Sequence, residues 1–230
     1  MFNKKIKFIA SEKDMESVWP HPKPANHFIP SEYKKLERLT KGDFHKPTIK
    51  ACMPFLDSMT MGYIIPFDQD YIIDPVEKDF SVTPASKERE DFGFHDKGQL
   101  PQTWHKITGE NAGKFHNKWL IVTPPGYSCL FVHPLNRSGT ENRFELISGV
   151  VDTDSYINLI NFPFILKKRD KQFLIKKGDA MVQVIPFKRE SWKIWSGFYY
   201  EKRHGRTLRF LFTEFLDRYK KRFWHKKSFK

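Results

Sequence analysis

At 230 residues the chain can form one large domain or two small ones, and 39% hydrophobic content with 22 Phe and 6 Trp excludes a disordered protein. No apolar run reaches the roughly 20 residues that cross a bilayer, so no membrane span is expected; two cysteines, Cys52 and Cys129, exclude a disulfide framework or an all-cysteine zinc site. A formal net charge of +13 favours a phosphate-bearing partner (nucleotide, nucleic acid or an anionic surface), and it serves solubility equally well.

The N-terminal MFNKKIKFIASEKD carries basic residues but no long apolar stretch and no small-residue cleavage site. No signal peptide is therefore expected, and a reducing cytoplasm fits the cysteine usage. A strand is predicted over residues 5–10, followed by the proline-rich turn WPHPKPANHFIP. A short helix is predicted over residues 31–39, with Ser31 as its N-cap after Pro30. Phe55, Leu56 and Met59 at helical spacing behind Pro54 predict a second helix over residues 53–61, with those side chains in the core.

From residue 62 to about 200 the pattern is β. Strands are predicted at 62–66, 71–74, 80–83, 120–123, 128–133, 144–151, 157–166, 172–175, 180–187 and 194–200. Turn signals such as Pro124-Pro125-Gly126 and Lys177-Gly178-Asp179 separate them, and the charged piece 86–98 reads as a surface loop. Many short strands with few helices between them predict a sandwich, jelly roll or barrel.

The C-terminus changes character. Leu208, Leu211, Phe212, Phe215, Leu216 and Tyr219 recur at helical spacing, and Arg218, Lys220, Lys221 and Arg222 cluster at the end of that stripe. The final KRFWHKKSFK interleaves Trp224 and two phenylalanines with Lys226 and Lys227. Such cations suit the end of a helix dipole, or they contact phosphate while the rings stack on bases or fill a partner's groove. The expected division is one mainly β domain over residues 1–205 and a basic helix and tail over 206–230.

Few motifs carry recognisable chemistry. No Gly-x-Ser-x-Gly elbow and no phosphate-binding glycine loop occurs, and Cys129 inside SCLFV reads as a buried strand residue. His105, His116 and His133 lie on or near β segments. His116 and His133 with Asp152 are the set a cupin-like metal centre would use, although no His-x-Asp or His-x-Glu spacing occurs. The segment GVVDTDSYINLINFPFILKKRDKQFLIKKGDAMVQ opens with Asp152 and Asp154 at a turn. Carboxylates there either cap the turn or, on a rigid rim, orient a water, a sugar hydroxyl or a cation.

That segment is similar to the trimeric dUTPase and dCTP deaminase family. Gly-x-Val-Asp-x-Asp before a strand, then Lys-Lys-Gly-Asp-x-x-x-Gln-Val, follows the family's pattern, with PLNRSG and Pro124-Pro125-Gly126 upstream in the matching order. The resemblance implies that Asp152 orients water and the sugar 3′-hydroxyl and that Tyr156 lies under the deoxyribose. It also implies that Arg137, Ser138 and Gln183 hold phosphate. It further implies pyrophosphate hydrolysis, Mg²⁺ carried by the substrate phosphates, and a homotrimer. The chain departs from the family in four places. Ser155 is inserted before Tyr156, and Gly62-Tyr63-Ile64-Ile65 lacks an aspartate. The glycine-rich C-terminal arm is replaced by a basic aromatic helix, and YINLINFPF lacks the deaminase glutamate. The likeness covers under a third of the chain.

A second resemblance spans most of it. TIKACMPFLDSMTMGYIIP, FHNKWLIVTPPGYSCLFVHPLNR and KKGDAMVQVIPFKRESW resemble an uncharacterised family of bacteriophage and bacterial proteins, which implies the cytoplasm of a bacterial host or a place in a virion.

The expected fold is thus mainly β, a β-clip or jelly-roll-like core resembling dUTPase, with short N-terminal helices and a C-terminal amphipathic helix. Three functions stay open: a diverged nucleotide pocket, a non-enzymatic scaffold or phage-assembly protein whose basic tail meets nucleic acid or a partner protein, and a non-haem metal oxygenase of cupin type.

Overall fold

A computed structural model describes residues 4–12, 19–42, 46–77, 79–85, 92–101, 111–137, 140–212 and 216–230. Fourteen strands lie among them: β1 (Lys7–Ile9), β2 (Lys23–Pro24), β3 (Tyr63–Pro66), β4 (Tyr71–Val76), β5 (Asp79–Pro84), β6 (Phe92–His95) and β7 (Ala112–Phe115) in the first half. The second half holds β8 (Leu120–Val122), β9 (Tyr127–Val132), β10 (Phe144–Leu146), β11 (Gly149–Val151), β12 (Phe162–Leu166), β13 (Phe173–Ile175) and β14 (Ala180–Lys188). They pair in four antiparallel sheets, ordered β1-β8, β10-β12-β7-β6, β11-β9-β14-β3-β2 and β13-β4-β5. The mainly β expectation holds.

Side-chain alternation explains the layering. In β12 the residues Phe162, Phe164 and Leu166 are buried while Pro163 and Ile165 between them are half-buried. β14 lies between β9 and β3 and is buried along its first six residues, which is why AMVQVI reads as an almost unbroken apolar run. The phenylalanines build the core. Phe115 stacks on Phe164 at 4.3 Å between ring centroids and meets Phe67 edge-on at 4.9 Å. Gly113 is required by this packing, because a Cβ there would stand 2.5 Å from the Phe164 ring and 2.7 Å from Phe92.

Several elements differ from the sequence pattern. The predicted strand 144–151 is two strands in two different sheets, β10 and β11. The predicted strand 157–166 begins only at Phe162, and β6 rises out of the piece read as a loop. Residues 194–200 join no strand ladder among the described residues. From Trp192 to Tyr200 the six largest apolar side chains are between 71 and 101% exposed.

Helix α1 (Ser31–Lys35) stops four residues early, and Pro30 rather than Ser31 stands at its N-cap. Helix α2 (Met53–Thr60) forms where predicted, but of its stripe only Met59 is buried; Phe55 and Leu56 are half-buried, and Met53 is the second buried residue. The C-terminal stripe is divided. Helix α3 (Glu201–Phe212) starts before residue 206, and a left-handed Asp217 (φ 60°) precedes the short α4 (Arg218–Arg222).

Candidate functional site

β11 runs beside β9, with Val151 opposite Cys129, and the chain turns as it leaves that pairing. The backbone N–H groups of Ser155 and Tyr156 both donate to the Asp152 carbonyl, at 3.0 and 2.9 Å. Ser155 lies within this turn, ahead of the bridge between Leu159 and Leu120 and of β12 at Phe162.

Within the turn three neighbours have three environments. Thr153 is fully buried, its hydroxyl 2.7 Å from that of Thr123 and 3.3 Å from the Cys129 sulfur. Burial pushes the Cys129 thiol up to about 11, so it stays a neutral core group at physiological pH. The Asp154 side chain is 8% exposed and held from two sides. Arg189 donates to both its oxygens, Nη1 to Oδ1 at 2.9 Å and Nη2 to Oδ2 at 2.5 Å, and the Gly126 N–H reaches Oδ2 at 2.7 Å. The Arg189 hydrogen bonds, and after them that of Gly126, hold the Asp154 carboxyl down at about 2.

Asp152 points outward, 60% exposed. Its Oδ1 accepts from the Ser128 hydroxyl at 2.6 Å and from Arg189 Nη1 at 3.3 Å, and Oδ2 has no hydrogen-bond partner among the described residues. The arrangement fixes one carboxylate in order to present the other. Arg189 is the residue that the motifs did not reveal. It follows β14 directly, and its backbone N–H donates to the Gly126 carbonyl at 2.9 Å, which carries the guanidinium to the turn.

Tyr156 is exposed beside Asp152, and Ile157, Asn158 and Leu159 continue from it into a cleft of about 490 Å³. Ile9, Leu120, His116 and Lys118 also line the cleft, and Leu120 is bridged to Leu159. Lys118 is anchored there by Asp68 at 2.7 Å and lies over the Trp19 ring.

Arg137 and Gln183 are elsewhere. Gln183 lies opposite Val132 in the β9–β14 ladder, whereas Phe187 lies opposite Ser128, the residue that touches Asp152. Four residues of strand place Gln183 about 13 Å from the rim. Gln183 is fully buried; its Oε1 accepts from the Leu135 N–H at 3.0 Å, and Nε2 donates to the Ser58 and Met61 carbonyls at 2.9 and 2.7 Å. Arg137 is buried too and donates to the carbonyls of Met59 (3.0 Å), Ala25 (3.3 Å) and Phe28. A helix leaves its last four carbonyls without intrahelical partners, and these two side chains satisfy two of them at the end of α2. Within one chain neither side chain reaches the Asp152 rim. Ser138 lies outside the described residues.

The histidine set does not assemble. His133 follows β9 at the end remote from Ser128, with its ring edge-on to Phe144 and its Nδ1 accepting from the Leu146 N–H at 3.5 Å, while His116 lies in the cleft. Among the described residues no three His, Cys, Asp or Glu side chains are grouped to hold a metal ion, so the cupin-type reading gains no support; His105 lies outside them.

The basic tail is docked rather than projecting. Trp224 Nε1 and Lys227 Nζ both donate to Asp57 on α2, at 2.8 and 2.6 Å, and Arg38 pairs with Asp217. Arg218, Lys220, Lys221 and Arg222 form α4, and Lys226 lines the cavity between the tail and α2. No helix among the described residues is long and apolar enough to cross a membrane.

No protein-family model and no curated protein matches the chain. Among solved structures it is similar to a mutant dUTPase of Staphylococcus bacteriophage 80alpha with dUpNHpp, at a TM-score of 0.40 and 12% identity over 87% of this chain and 91% of that one. It is also similar to a mutant dUTPase of phage phi11 of S. aureus, described with a structural Mg(II) ion, at a TM-score of 0.34 and 12% identity over 61% and 84%. Scores this low establish no common fold; the mainly β architecture stands on the strand pairings above.

Proposed function

We propose that the chain is a nucleotide-binding protein of dUTPase-like build, with Asp152 as the working carboxylate and Tyr156 as the platform beside it. The observation that carries this reading is the division of labour between two neighbouring aspartates. Asp154 takes the two-pronged contact of Arg189, so that Asp152 is held in place by single contacts and keeps one oxygen open to solvent. A fixed, open carboxylate can accept a proton from water or a hydrogen bond from a sugar hydroxyl. The resemblance of residues 149–183 to the dUTPase family supplies the reaction class, pyrophosphate hydrolysis. The open Oδ2 is a hard oxygen donor of the kind Mg²⁺ takes, and the ion would arrive with the phosphates and offset their charge. Arg137 and Gln183, engaged with backbone carbonyls, are assigned to holding α2 rather than phosphate.

The test is a thermal shift with dUTP, dUMP and dCTP in the presence of Mg²⁺. A nucleotide at 100 times its dissociation constant adds about 2.7 kcal/mol of apparent stability, and Asp152→Ala should abolish the response. If none of the nucleotides shifts the wild-type transition, the reading fails.

The exposed segment from Trp192 to Tyr200 favours a second reading, a scaffold that assembles with copies of itself. Six large apolar side chains in nine residues are seldom left in water. Replacing Trp192 and Trp195 with Ser should lower the oligomeric state measured by light scattering. A wild-type chain that is monomeric at all concentrations removes this reading.

A further inference from the structure

A second groove, of about 700 Å³, runs along the N-terminal edge of the molecule beside β1. One wall is Lys4, Lys5, Lys7 and Phe8, leading into and along β1; the other includes Tyr63 on β3 and the C-terminal Lys230. Four of its ten lining residues are lysines and none is acidic, so the groove concentrates positive potential between low-dielectric walls. Glu190, whose carboxylate feels Lys4, is itself paired with Lys188 at 2.8 Å.

The aromatic residues are placed along the same edge. Phe8 meets Tyr63 edge-on at 5.7 Å, and Tyr63 meets Phe229 edge-on at 6.0 Å, giving a line of three half-buried rings. The docked tail builds this line: the Tyr63 hydroxyl donates to the Lys230 carbonyl at 3.4 Å, while Trp224 and Lys227 anchor the tail on Asp57. At the far end the Lys4 ammonium lies 4.7 Å from the centre of the Tyr127 ring.

We propose that this groove binds single-stranded nucleic acid, with Lys4, Lys5, Lys7 and Lys230 on the phosphates and the Phe8 and Tyr63 rings against the bases. Lysines alone would accept any polyanion. The rings select an unpaired strand, because only unstacked bases offer a face to an aromatic side chain. A duplex hides those faces, and an acidic polypeptide has none. The groove shares no lining residue with the cleft that continues from Tyr156, and its Lys4 end meets Tyr127, the neighbour of the Ser128 that touches Asp152. It also gives the basic C-terminus a role different from a free arm: the tail closes one side of a groove that the N-terminal lysines charge.

The experiment is fluorescence anisotropy of the full chain with a labelled oligothymidine over a range of salt. For a single strand each phosphate contact contributes about 0.7 to the slope of log affinity against log salt, so Lys5→Glu with Lys7→Glu should lower that slope by about 1.4 and weaken binding at least about tenfold. The control, Lys176→Glu with Lys177→Glu, makes the same change in net charge on a turn outside the groove and should alter affinity less than about threefold. Equal losses in the two variants would show a field effect of the whole molecule and overturn the site; so would no loss in the first. Phe8→Leu keeps apolar packing but removes a ring, and should weaken the oligonucleotide while leaving the salt slope unchanged. A duplex or a polyglutamate of equal charge that binds as tightly as the single strand overturns the stacking role. Lys5→Gln with Lys7→Gln repeats the first test with a milder change should the charge-reversed protein fold poorly.

Discussion

The two ends of the β9–β14 ladder use polar side chains in opposite ways. At one end Gln183 and Arg137 are buried, and all the hydrogen bonds described for them close on backbone groups of α2, of Met61 just after it, of the turn at Ala25–Phe28 and of the loop after β9. At the other end Arg189 and Asp154 hold each other, and Asp152 is left facing water. Both ends carry motif residues of the same resemblance. Burial separates them: a buried polar group must be satisfied by the protein itself, whereas an exposed one remains available to a ligand.

The comparison can be broken first at Arg137. Truncation to Ala removes the guanidinium donor from the Ala25, Phe28 and Met59 carbonyls in a buried site, and should cost about 3–5 kcal/mol by denaturant unfolding. Arg137→Lys should recover less than half of this, since one ammonium cannot span three carbonyls. A loss below about 1 kcal/mol would mean that the guanidinium is not fixed in this role.

Gln183 comes next. Gln183→Leu keeps most of the volume but removes one acceptor and two donors, with an expected loss of about 2–3 kcal/mol. Gln183→Glu should be worse at neutral pH than in mild acid. Its carboxylate would face the Ser58 and Met61 carbonyls, so burial and those contacts raise its pKa, and stability is lost as pH rises through that raised value. An equal cost at both pH values would contradict the buried geometry.

The rim end gives a smaller effect with the opposite sign in pH. Asp154 is held at about 2 against an ordinary 3.8, so its contribution is present above the ordinary value and is lost as pH falls from there toward 2. Stability measured by urea unfolding across that range should fall more steeply in the wild type than in Asp154→Asn. Arg189→Ala should flatten the profile in the same way. Parallel profiles for wild type and Asp154→Asn would dissolve the clamp.

How much of this was legible in the sequence depends on where the deciding contact lies. β9 and β14 were legible because SCLFV and AMVQVIPF are apolar runs entered from glycine turns, and a strand buried on both faces looks like that locally. Residues 194–200 have the same β-forming composition and form no strand, because β propensity expresses fit to a neighbouring strand and none lies beside them among the described residues. β7 was hidden by Gly113, whose reason for being glycine is the Phe164 ring packed over it. The aspartate turn could be read from its spacing. Its clamp could not, because Arg189 reaches Asp154 across 35 residues with no periodic signal between them. The resemblance suggested phosphate for Arg137 and Gln183, and their partners are carbonyls 78 to 125 residues away.

The smallest expected effect on stability is the most informative about function. Asp152→Asn keeps the side-chain volume and can still accept from Ser128, and at 60% exposure the charge it removes is well screened. Unfolding free energy should therefore change by no more than about 0.5 kcal/mol. A carboxylate needed for proton transfer or for a hard cation is not replaced by an amide, so the same variant should lose turnover and the Mg²⁺-dependent part of any nucleotide response. If Asp152→Asn instead costs more than about 1 kcal/mol and leaves nucleotide binding intact, Asp152 belongs with Asp154 as a turn-fixing residue, and the contrast between the two ends of the ladder collapses.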